Sequence, residues 1–397
     1  MSMKKFLLLL AAVATCASAY AVDAELEYMN QTWKQTAPAW TNYRQGFGMD
    51  GAFYVRDMAQ KVIARWDENG VDESFALELP EGCTGHAVTK DEAGNIIARV
   101  DAGWSGGWLV DEETMALRVF PAEGGDPIDS PLPVEAFTDW GENGRLDYFG
   151  FAEGDVMDEG ALYITNSGST KIFKIAFAGG EVDPDNSGVI SYSGASLGTA
   201  NQSVVVNPYT SADGTKHLLF VNRSAAPVDM TFDEENNEYV GKAITLPNRG
   251  PSNGIYPFTL GGYDLFVYPA KFGSDVNYLD GFAVAEAGAA EPLASVAATV
   301  AAAANGGQVN WLNAEPVAGS DTKATIYQYY PSGYTAVYDF KLKTTITGVK
   351  TVNAARQLTG VKYYNVAGVE SATPFDGVNI VVNVYNDGSR EATKVLR

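Results

Sequence analysis

Cysteine, histidine and long apolar runs are scarce in this sequence, and each shortage excludes a class of protein. Two cysteines, Cys16 and Cys83, in 397 residues cannot form a disulfide scaffold, so stability has to come from a hydrophobic core. Two histidines, His86 and His217, are too few for a histidine-rich transition-metal site. Beyond the N-terminus no stretch approaches the ~20 apolar residues of a membrane-spanning helix, so we expect no transmembrane segment.

Positive charge is also in short supply, with 27 Lys and Arg against 49 Asp and Glu and a formal net charge of −22. A field of this sign repels nucleic acid and anionic lipid, so we expect neither as a partner. The acidic residues are spread along the chain rather than gathered in blocks, which is typical of a soluble exported protein. Aromatic residues are plentiful, and this favours a folded β-rich body over disorder.

Signatures of catalysis are missing from the sequence. It contains no G-x-S-x-G, H-E-x-x-H, Walker or dinucleotide-binding motif. The glycine-rich stretch Gly46–Gly51 leads into a predicted strand, so it offers no helix N-terminus for a phosphate. Cys83 and His86 are spaced as a nucleophile and base could be, but no further motif supports this pair. The sequence therefore leaves enzymatic activity uncertain and leans against it.

The first 19 residues have the features of a signal peptide. Lys4 and Lys5 precede the apolar run Phe6–Ala14, and Ala17-Ser18-Ala19 is a small-x-small cleavage site. We therefore expect export across the inner membrane, with lipidation of Cys16 as the alternative reading. The expected destination is the medium or the outer-membrane surface, with the periplasm as the alternative.

A short pattern recurs six times along the chain. Each copy has a turn with Gly or Asp, followed by a strand of β-branched and aromatic residues. The six copies are Asp50–Asp57, Ala93–Val100, Glu159–Ser167, Asp213–Arg223, Gly261–Ala270 and Asp321–Tyr330. Most copies have a further predicted strand on each side; after the fourth we assign it to Asn237–Leu246.

Three to four short strands per copy are typical of propeller blades, which bury their faces by stacking radially. The sequence thus predicts an all-β, six-bladed β-propeller-like body over residues 20–343, and a pair of β-sandwiches is the alternative. The segment Tyr28–Phe47 is predicted to supply a strand to the last copy. The Ala-rich stretch Glu291–Gly307 is predicted to be a short helix, either an insertion or a lid.

Residues 344–397 are predicted to form a separate, small β-sandwich-like domain. Its motifs are YYNVAGVE (Tyr363–Glu370), PFDGVNIVV (Pro374–Val382) and YNDGSREATKVL (Tyr385–Leu396). This segment resembles the C-terminal sorting domains of exported Bacteroidetes proteins, and the resemblance implies recognition by the type IX (Por) secretion machinery. Retention as a structural β-domain is the alternative. More weakly, the segments Arg44–Val55 and Ile326–Phe340 of the body resemble secreted propeller-like proteins that often carry such a tail.

Candidate ligand-binding residues lie near the predicted inner strands, because propeller ligands usually bind at the channel mouth. They combine amides, a cation and aromatic rings, which suits a glycan or a protein ligand. They are Arg44, Gln45, His86, Gln202, Asn253, Tyr256, Asn310 and Trp311. The function predicted from these features is an exported binding module. The alternatives are a lyase or lactonase-like hydrolase using a metal and His86, and a structural surface protein.

One loop has an incomplete calcium-binding pattern. Asp183, Asp185 and Ser187 alternate as oxygen ligands before the turn at Gly188. Gly194 stands where an EF-hand loop has its bidentate glutamate. No other cofactor is expected, and an ordinary Asx turn is the alternative reading of this loop.

Overall fold

The computed structural model describes residues 24–36, 43–101, 115–132, 146, 148–165, 171–197, 204–223, 225–250, 252–271, 281–297, 310–330, 334–343, 358–365, 369–375, 377–385 and 390–396. The protein is all-β, as the sequence predicts, and every regular element in the described ranges is a strand. None of these ranges contains a helix that could span a membrane. The chain divides into two compact units, residues 1–344 and residues 345–397.

The described part of unit 1 contains six small sheets, numbered here in chain order. Strand β1 (Leu26–Thr36) belongs to sheet 6. Sheet 1 consists of β2 (Tyr43–Met49), β3 (Ala52–Asp57), β4 (Val62–Asp67) and β5 (Gly70–Glu78). Sheet 2 consists of β6 (Val88–Lys90), β7 (Ile96–Arg99), β8 (Ala116–Phe120) and β9 (Ile128–Pro131). Sheet 3 consists of β10 (Ala152–Asp155), β11 (Glu159–Ile164), β12 (Phe173–Ala178) and β13 (Glu181–Val189).

Neighbouring strands of sheets 1 to 3 pair antiparallel, and most strands of the other three sheets do so as well. Sheet 4 has five strands: β14 (Tyr192–Gly194), β15 (Val204–Thr210), β16 (Lys216–Asn222), β17 (Val228–Asp233) and β18 (Glu238–Ala243). Sheet 5 consists of β19 (Tyr256–Leu260), β20 (Tyr263–Pro269), β21 (Phe282–Ala285) and β22 (Ala294–Val296). Sheet 6 combines β23 (Trp311–Pro316), β24 (Lys323–Tyr330) and β25 (Tyr334–Leu342) with β1. Among the described strands, only the short β14 pairs in parallel, next to β18.

Each of the six sequence repeats becomes the second of the consecutive antiparallel strands of its sheet, namely β3, β7, β11, β16, β20 and β24. These strands have neighbours on both edges and on both faces, so even the charged end of β3 is buried. The outer strand β5, by contrast, alternates between exposed and half-buried positions. Burial in sheet 1 is therefore high in the second strand and lower in the outermost strand, β5.

Two predictions about individual strands were wrong. In the fourth copy, the strand next to β16 is β17, whereas the predicted Asn237–Leu246 contains β18, one position further out. The predicted helix begins instead with strand β22, which pairs with β21. The remainder of the Ala-rich stretch, residues 298–307, lies outside the described residues.

The first strands of the sheets contact one another in unit 1. Strand β2 contacts β6 and β23, β15 contacts β10 and β19, and β19 contacts β23. Between sheets 2 and 3, the Asp91 carboxylate accepts a hydrogen bond from the Val156 amide at 2.8 Å. These approaches are close, since a Cβ on Gly254 would lie 1.7 Å from the Asn310 carbonyl oxygen.

Strand β1 pairs antiparallel with β25, from Leu26 opposite Leu342 to Thr36 opposite Tyr334. The sequence predicts this addition of an N-terminal strand to the last copy, and the pairing confirms it. The Lys34 ammonium also lies 3.4 Å from the centre of the Tyr334 ring. The earliest described strand is thus part of the last sheet of unit 1.

Unit 2 forms one four-stranded sheet in its described part. Its strands are β26 (Leu358–Tyr364), β27 (Glu370–Ser371), β28 (Val378–Tyr385) and β29 (Arg390–Leu396), in the order β27-β26-β28-β29. A second layer, which the sandwich prediction requires, is not among these described strands. The buried Asn379 accepts from the Phe375 amide and donates to the Phe375 carbonyl, both at 2.7 Å, and so fixes the turn before β28.

Candidate functional site

Three of the predicted ligand-binding residues lie together at the meeting point of the first strands. Gln45, Asn253 and Trp311 line one small cavity with residues of other sheets, including Val88 and Val205. The cavity has a volume of about 10 Å³, which is about the space that one water molecule needs. Apolar side chains and the polar Thr89 and Asn207 form the rest of this lining, so these residues are packed against protein.

The side-chain amide of Gln45 joins strand β2 to two other segments of backbone, at Val88 and Phe149. Its Nε2 donates to the Phe149 carbonyl at 2.7 Å, and its Oε1 accepts from the amides of Val88 at 3.0 Å and Phe149 at 3.1 Å. Two other buried amides act alike: Asn207 links the backbones of residues 151 and 255, and Asn313 bonds both backbone groups of Gly48. The inner amides therefore satisfy backbone groups between sheets.

The remaining predicted residues are spread around this centre. Asn310 is fully buried and its Oδ1 accepts from Gln328 at 2.9 Å. His86 is 2% exposed and precedes β6. The Tyr256 ring packs edge-on against Phe151 at 4.6 Å, and burial raises its pKa. The side chain of Arg44 and all of Gln202 lie outside the described residues.

Cys83, which is spaced from His86 as a nucleophile could be, makes hydrogen bonds to two arginines. The Cys83 sulfur accepts from Arg56 Nη2 at 3.3 Å and donates to the Arg99 carbonyl at 3.5 Å. Burial raises the pKa of Cys83, although the Arg56 charge opposes this shift. A neutral thiol is a weak nucleophile, so the surroundings of Cys83 suit packing better than covalent catalysis.

The predicted calcium loop lies within β13 and has the geometry of an Asx turn. The Asp183 carboxylate accepts from the Asp185 amide at 3.0 Å and from Asn186 Nδ2 at 2.6 Å, while Ser187 Oγ donates to the Asp183 carbonyl at 2.6 Å. The Asn186 hydrogen bond is the main cause that lowers the pKa of Asp183. Within the described residues, no three His, Cys, Asp or Glu side chains converge as a metal site.

A larger recess lies between sheets 3 and 4, and we call it the inter-sheet groove. Its volume is about 510 Å³, within the 300–1,000 Å³ that is typical of small-molecule sites. The residues that line it are Glu153, Tyr163, Lys174, Asp185, Asn186, Ser187, Gly188, Val189, Ile190, Ser191, Lys216, Phe232, Asn237 and Tyr239. Mixed hydroxyl, amide, charged and aromatic groups thus face one open space.

A hydrogen-bonded network forms one part of the groove. Glu153 on β10 accepts from Lys216 Nζ at 2.7 Å and from the Tyr163 hydroxyl at 2.8 Å, so both carboxylate oxygens have a partner. Tyr163 is 3% exposed, and burial is the largest cause that raises its pKa. Because the phenol stays protonated, it acts here as a donor that fixes Glu153.

The sheet 3 wall follows from an irregularity in β13. Its pairing with β12 shifts between Lys174, opposite Gly188, and Ala176, opposite Asp183. Bulges re-aim side chains at the edges of sheets. Here the Asx turn puts Asp185, Asn186 and Ser187 on the surface of the groove.

The sheet 4 wall is aromatic. Phe232 on β17 lies opposite Tyr239 on β18, and their ring centres are 5.0 Å apart. Phe232 is half-buried and Tyr239 buried, so Phe232 offers more of its ring to a ligand. The turn that joins these strands contains Asn237 at φ 51°, a left-handed conformation that asparagine tolerates.

Sequence reasoning missed most of this groove. It selected Asp185 and Ser187, but for calcium, and it gave no role to Glu153, Lys216 or Phe232. These residues belong to three strands of two sheets, so no local spacing connects them. The one available signal was the run of polar residues in β13, which is unusual for a strand.

No family model matches the chain, and no curated protein matches it. Among solved structures it is similar to a DUF4623 family protein from Bacteroides eggerthii, with a TM-score of 0.56 and 12% identity over 81% of this chain and 76% of that chain. A protein of unknown function from Dyadobacter fermentans gives a TM-score of 0.44 and 9% identity over 79% of this chain and 99% of that chain. These are Bacteroidetes species. The first likeness shows a related fold.

Proposed function

We propose that the protein is a glycan-binding module and that the inter-sheet groove is its binding site. The observation that supports this most is the combination, in one groove of about 510 Å³, of an aromatic face at Phe232 with amides and hydroxyls at Asn186, Ser187 and Asn237. Aromatic rings stack on the apolar faces of sugars. Amides and hydroxyls both donate and accept hydrogen bonds, as sugar hydroxyls require.

The proposal includes a six-bladed β-propeller as the architecture of unit 1. It is supported by six sheets, one per repeat, whose first strands contact one another, and by the pairing of β1 with β25. In a propeller, such a strand would join the first and last blades and remove an open edge. The groove would then lie between the third and fourth blades, away from the filled centre.

We also propose that the protein is exported and that unit 2 is its sorting domain, on the strength of the sequence resemblance. Expression in a Bacteroidetes host with and without residues 345–397 tests this. The full chain is expected in the medium or on the surface, and the shortened chain in the periplasm. Equal distribution of both chains would favour unit 2 as a structural β-domain.

A binding assay with matched variants tests the glycan proposal. Purified protein is titrated calorimetrically with a panel of oligosaccharides, and Phe232→Ala is expected to weaken binding by about tenfold, or ~1.4 kcal/mol, through loss of ring contact. Phe75→Ala is the control, because Phe75 is also half-buried and packs against a tyrosine ring, Tyr54 at 5.4 Å, but in sheet 1. An equal loss in both variants, or no binding to any glycan, would contradict the proposal and favour a structural role.

A further inference from the structure

The charged side chains of the inter-sheet groove indicate which glycans it accepts. Its lining contains two cations, Lys174 and Lys216, and two anions, Glu153 and Asp185. Lys216 and Glu153 form an ion pair at 2.7 Å, so each offsets part of the charge that the other presents to a ligand. The lining as a whole is electrically neutral, although the protein carries a net charge of −22.

The remaining cation of the groove is also opposed by nearby acids. Lys174 lies near Asp183, whose pKa it helps to lower after the larger effect of the Asn186 hydrogen bond. The exposed Asp185 lines the same wall. A ligand carboxylate that approached Lys174 would therefore also meet two aspartates of its own sign.

Groups that recognise acidic ligands well are missing from the groove's described lining. It contains no arginine, the residue whose planar fork binds carboxylate and phosphate through two hydrogen bonds. Besides the hydroxyls of Tyr163 and Tyr239, its uncharged polar side chains are Asn186, Ser187, Ser191 and Asn237. These suit hydroxyl groups, which need partners that can both donate and accept.

We propose that the groove selects neutral oligosaccharides, chains of unmodified hexose or pentose units, over those that carry carboxylates or sulfates. This inference rests on the proposed glycan-binding function and narrows it to one class of ligand. Three features carry it: the neutral lining, the internal pairing of Lys216 with Glu153, and the acidic surroundings of Lys174. Specificity here comes from repulsion of the wrong ligand as well as from attraction of the right one.

The test compares neutral and acidic oligosaccharides of equal length on the full-length protein, by calorimetry near 0.15 M salt. Gluco-, manno- and xylo-oligosaccharides are the neutral probes, and oligogalacturonates the acidic ones. We expect the acidic probes to bind at least tenfold more weakly than the best neutral probe. If an oligogalacturonate binds as tightly as the best neutral probe, the selectivity inference is wrong while the glycan-binding function stands.

A charge-reversal variant tests the cause of the selectivity. Asp185→Lys gives the lining a net positive charge and is expected to strengthen oligogalacturonate binding several-fold. Asp126→Lys is the matched control, because Asp126 is exposed in the β8–β9 turn and the total charge changes equally. The same gain in both variants would show that the total charge of the protein, and not the charge of the groove lining, sets the selectivity. Failure of every oligosaccharide to bind would overturn both the function and this inference.

Discussion

At the scale of single residues, Gln45 shows why a buried polar side chain need not be a ligand site. All three of its hydrogen bonds go to backbone groups of neighbouring segments. Gln45 is 3% exposed, so removing its amide takes away the side-chain partner of all three buried groups. Gln45 therefore contributes to the alignment of the first strands of unit 1.

Replacing Gln45 by leucine is expected to destabilise unit 1 by about 3 kcal/mol or more, because each unsatisfied buried group costs roughly 1–3 kcal/mol. The shift in the denaturant midpoint, followed by tryptophan fluorescence, measures this loss. Gln60→Leu is the control, since Gln60 is exposed in the β3–β4 turn and its variant should stay within about 0.5 kcal/mol of the parent. Equal midpoints for the two variants would show that the Gln45 bonds contribute little.

His217 couples the stability of sheet 4 to pH. Burial alone lowers its pKa, but the hydrogen bond that Nδ1 donates to the Asp229 carboxylate at 3.0 Å and the charges of Asp229, Asp264 and Asp213 more than offset this, so the net shift is upward. Tyr209 stacks on the imidazole, with ring centres 4.8 Å apart, and Thr231 lies 3.5 Å from Nδ1. The folded state therefore holds the His217 proton more tightly than the unfolded chain does.

A pKa that is higher in the folded than in the unfolded state stabilises the protonated fold. This stabilisation is complete below the unfolded-state pKa of about 6.5 and is lost as the pH rises through the folded-state pKa. The parent protein should therefore exceed His217→Gln in melting temperature by more at about pH 5.5 than at about pH 8.5. Paired thermal scans at both pH values check this. A difference that does not change with pH would contradict a protonated His217 in the fold.

At the scale of strands, glycines set how closely neighbouring sheets approach. Gly254→Ala would place a methyl group 1.7 Å from the Asn310 carbonyl oxygen, so the backbone has to move. Overpacking of this kind costs about 1–3 kcal/mol or more, and a fall in the denaturant midpoint should reveal it. Gly188→Ala in β13 is the matched control, because its Cβ would meet no atom within 4 Å. A tolerated Gly254→Ala would mean that the first strands are loosely packed.

Most strands of unit 1 could be predicted from sequence, but the groove could not. The second strand of each sheet was predicted correctly, because β-branched and aromatic residues after a turn are a local signal and these strands are buried on both faces. The helix prediction for the Ala-rich stretch was wrong because alanine favours helices locally, whereas β22 is fixed by pairing with β21. Gln45, Asn253 and Trp311 were predicted to bind a ligand near the inner strands, whereas their packing against protein depends on side chains of other sheets.

At the scale of the whole molecule, the two units differ in how much they bury. Unit 1 has five clusters of buried apolar residues. Among the side chains of unit 2 that the structure describes, only Asn379 is buried. Stability derives mainly from buried apolar surface, so unit 2 is expected to unfold at a lower denaturant concentration than unit 1.

Two probes separate these transitions, because all seven tryptophans belong to unit 1. Far-ultraviolet circular dichroism should begin to change before tryptophan fluorescence does, as the sheet of unit 2 is lost first. A chain that ends at Thr344 is the control and should give coincident curves. Coincident curves for the full chain would instead indicate that the two units unfold together.

The place of β1 in sheet 6 has a consequence during protein synthesis. Leu26 pairs with Leu342, more than 300 residues later, so at about 5–20 residues per second the first strand waits roughly 15–60 s for its partner. An unpaired strand can associate with other chains during that time. Glu25, Glu27 and Lys34 in and beside β1 place charges that discourage such association until residue 342 has emerged from the ribosome.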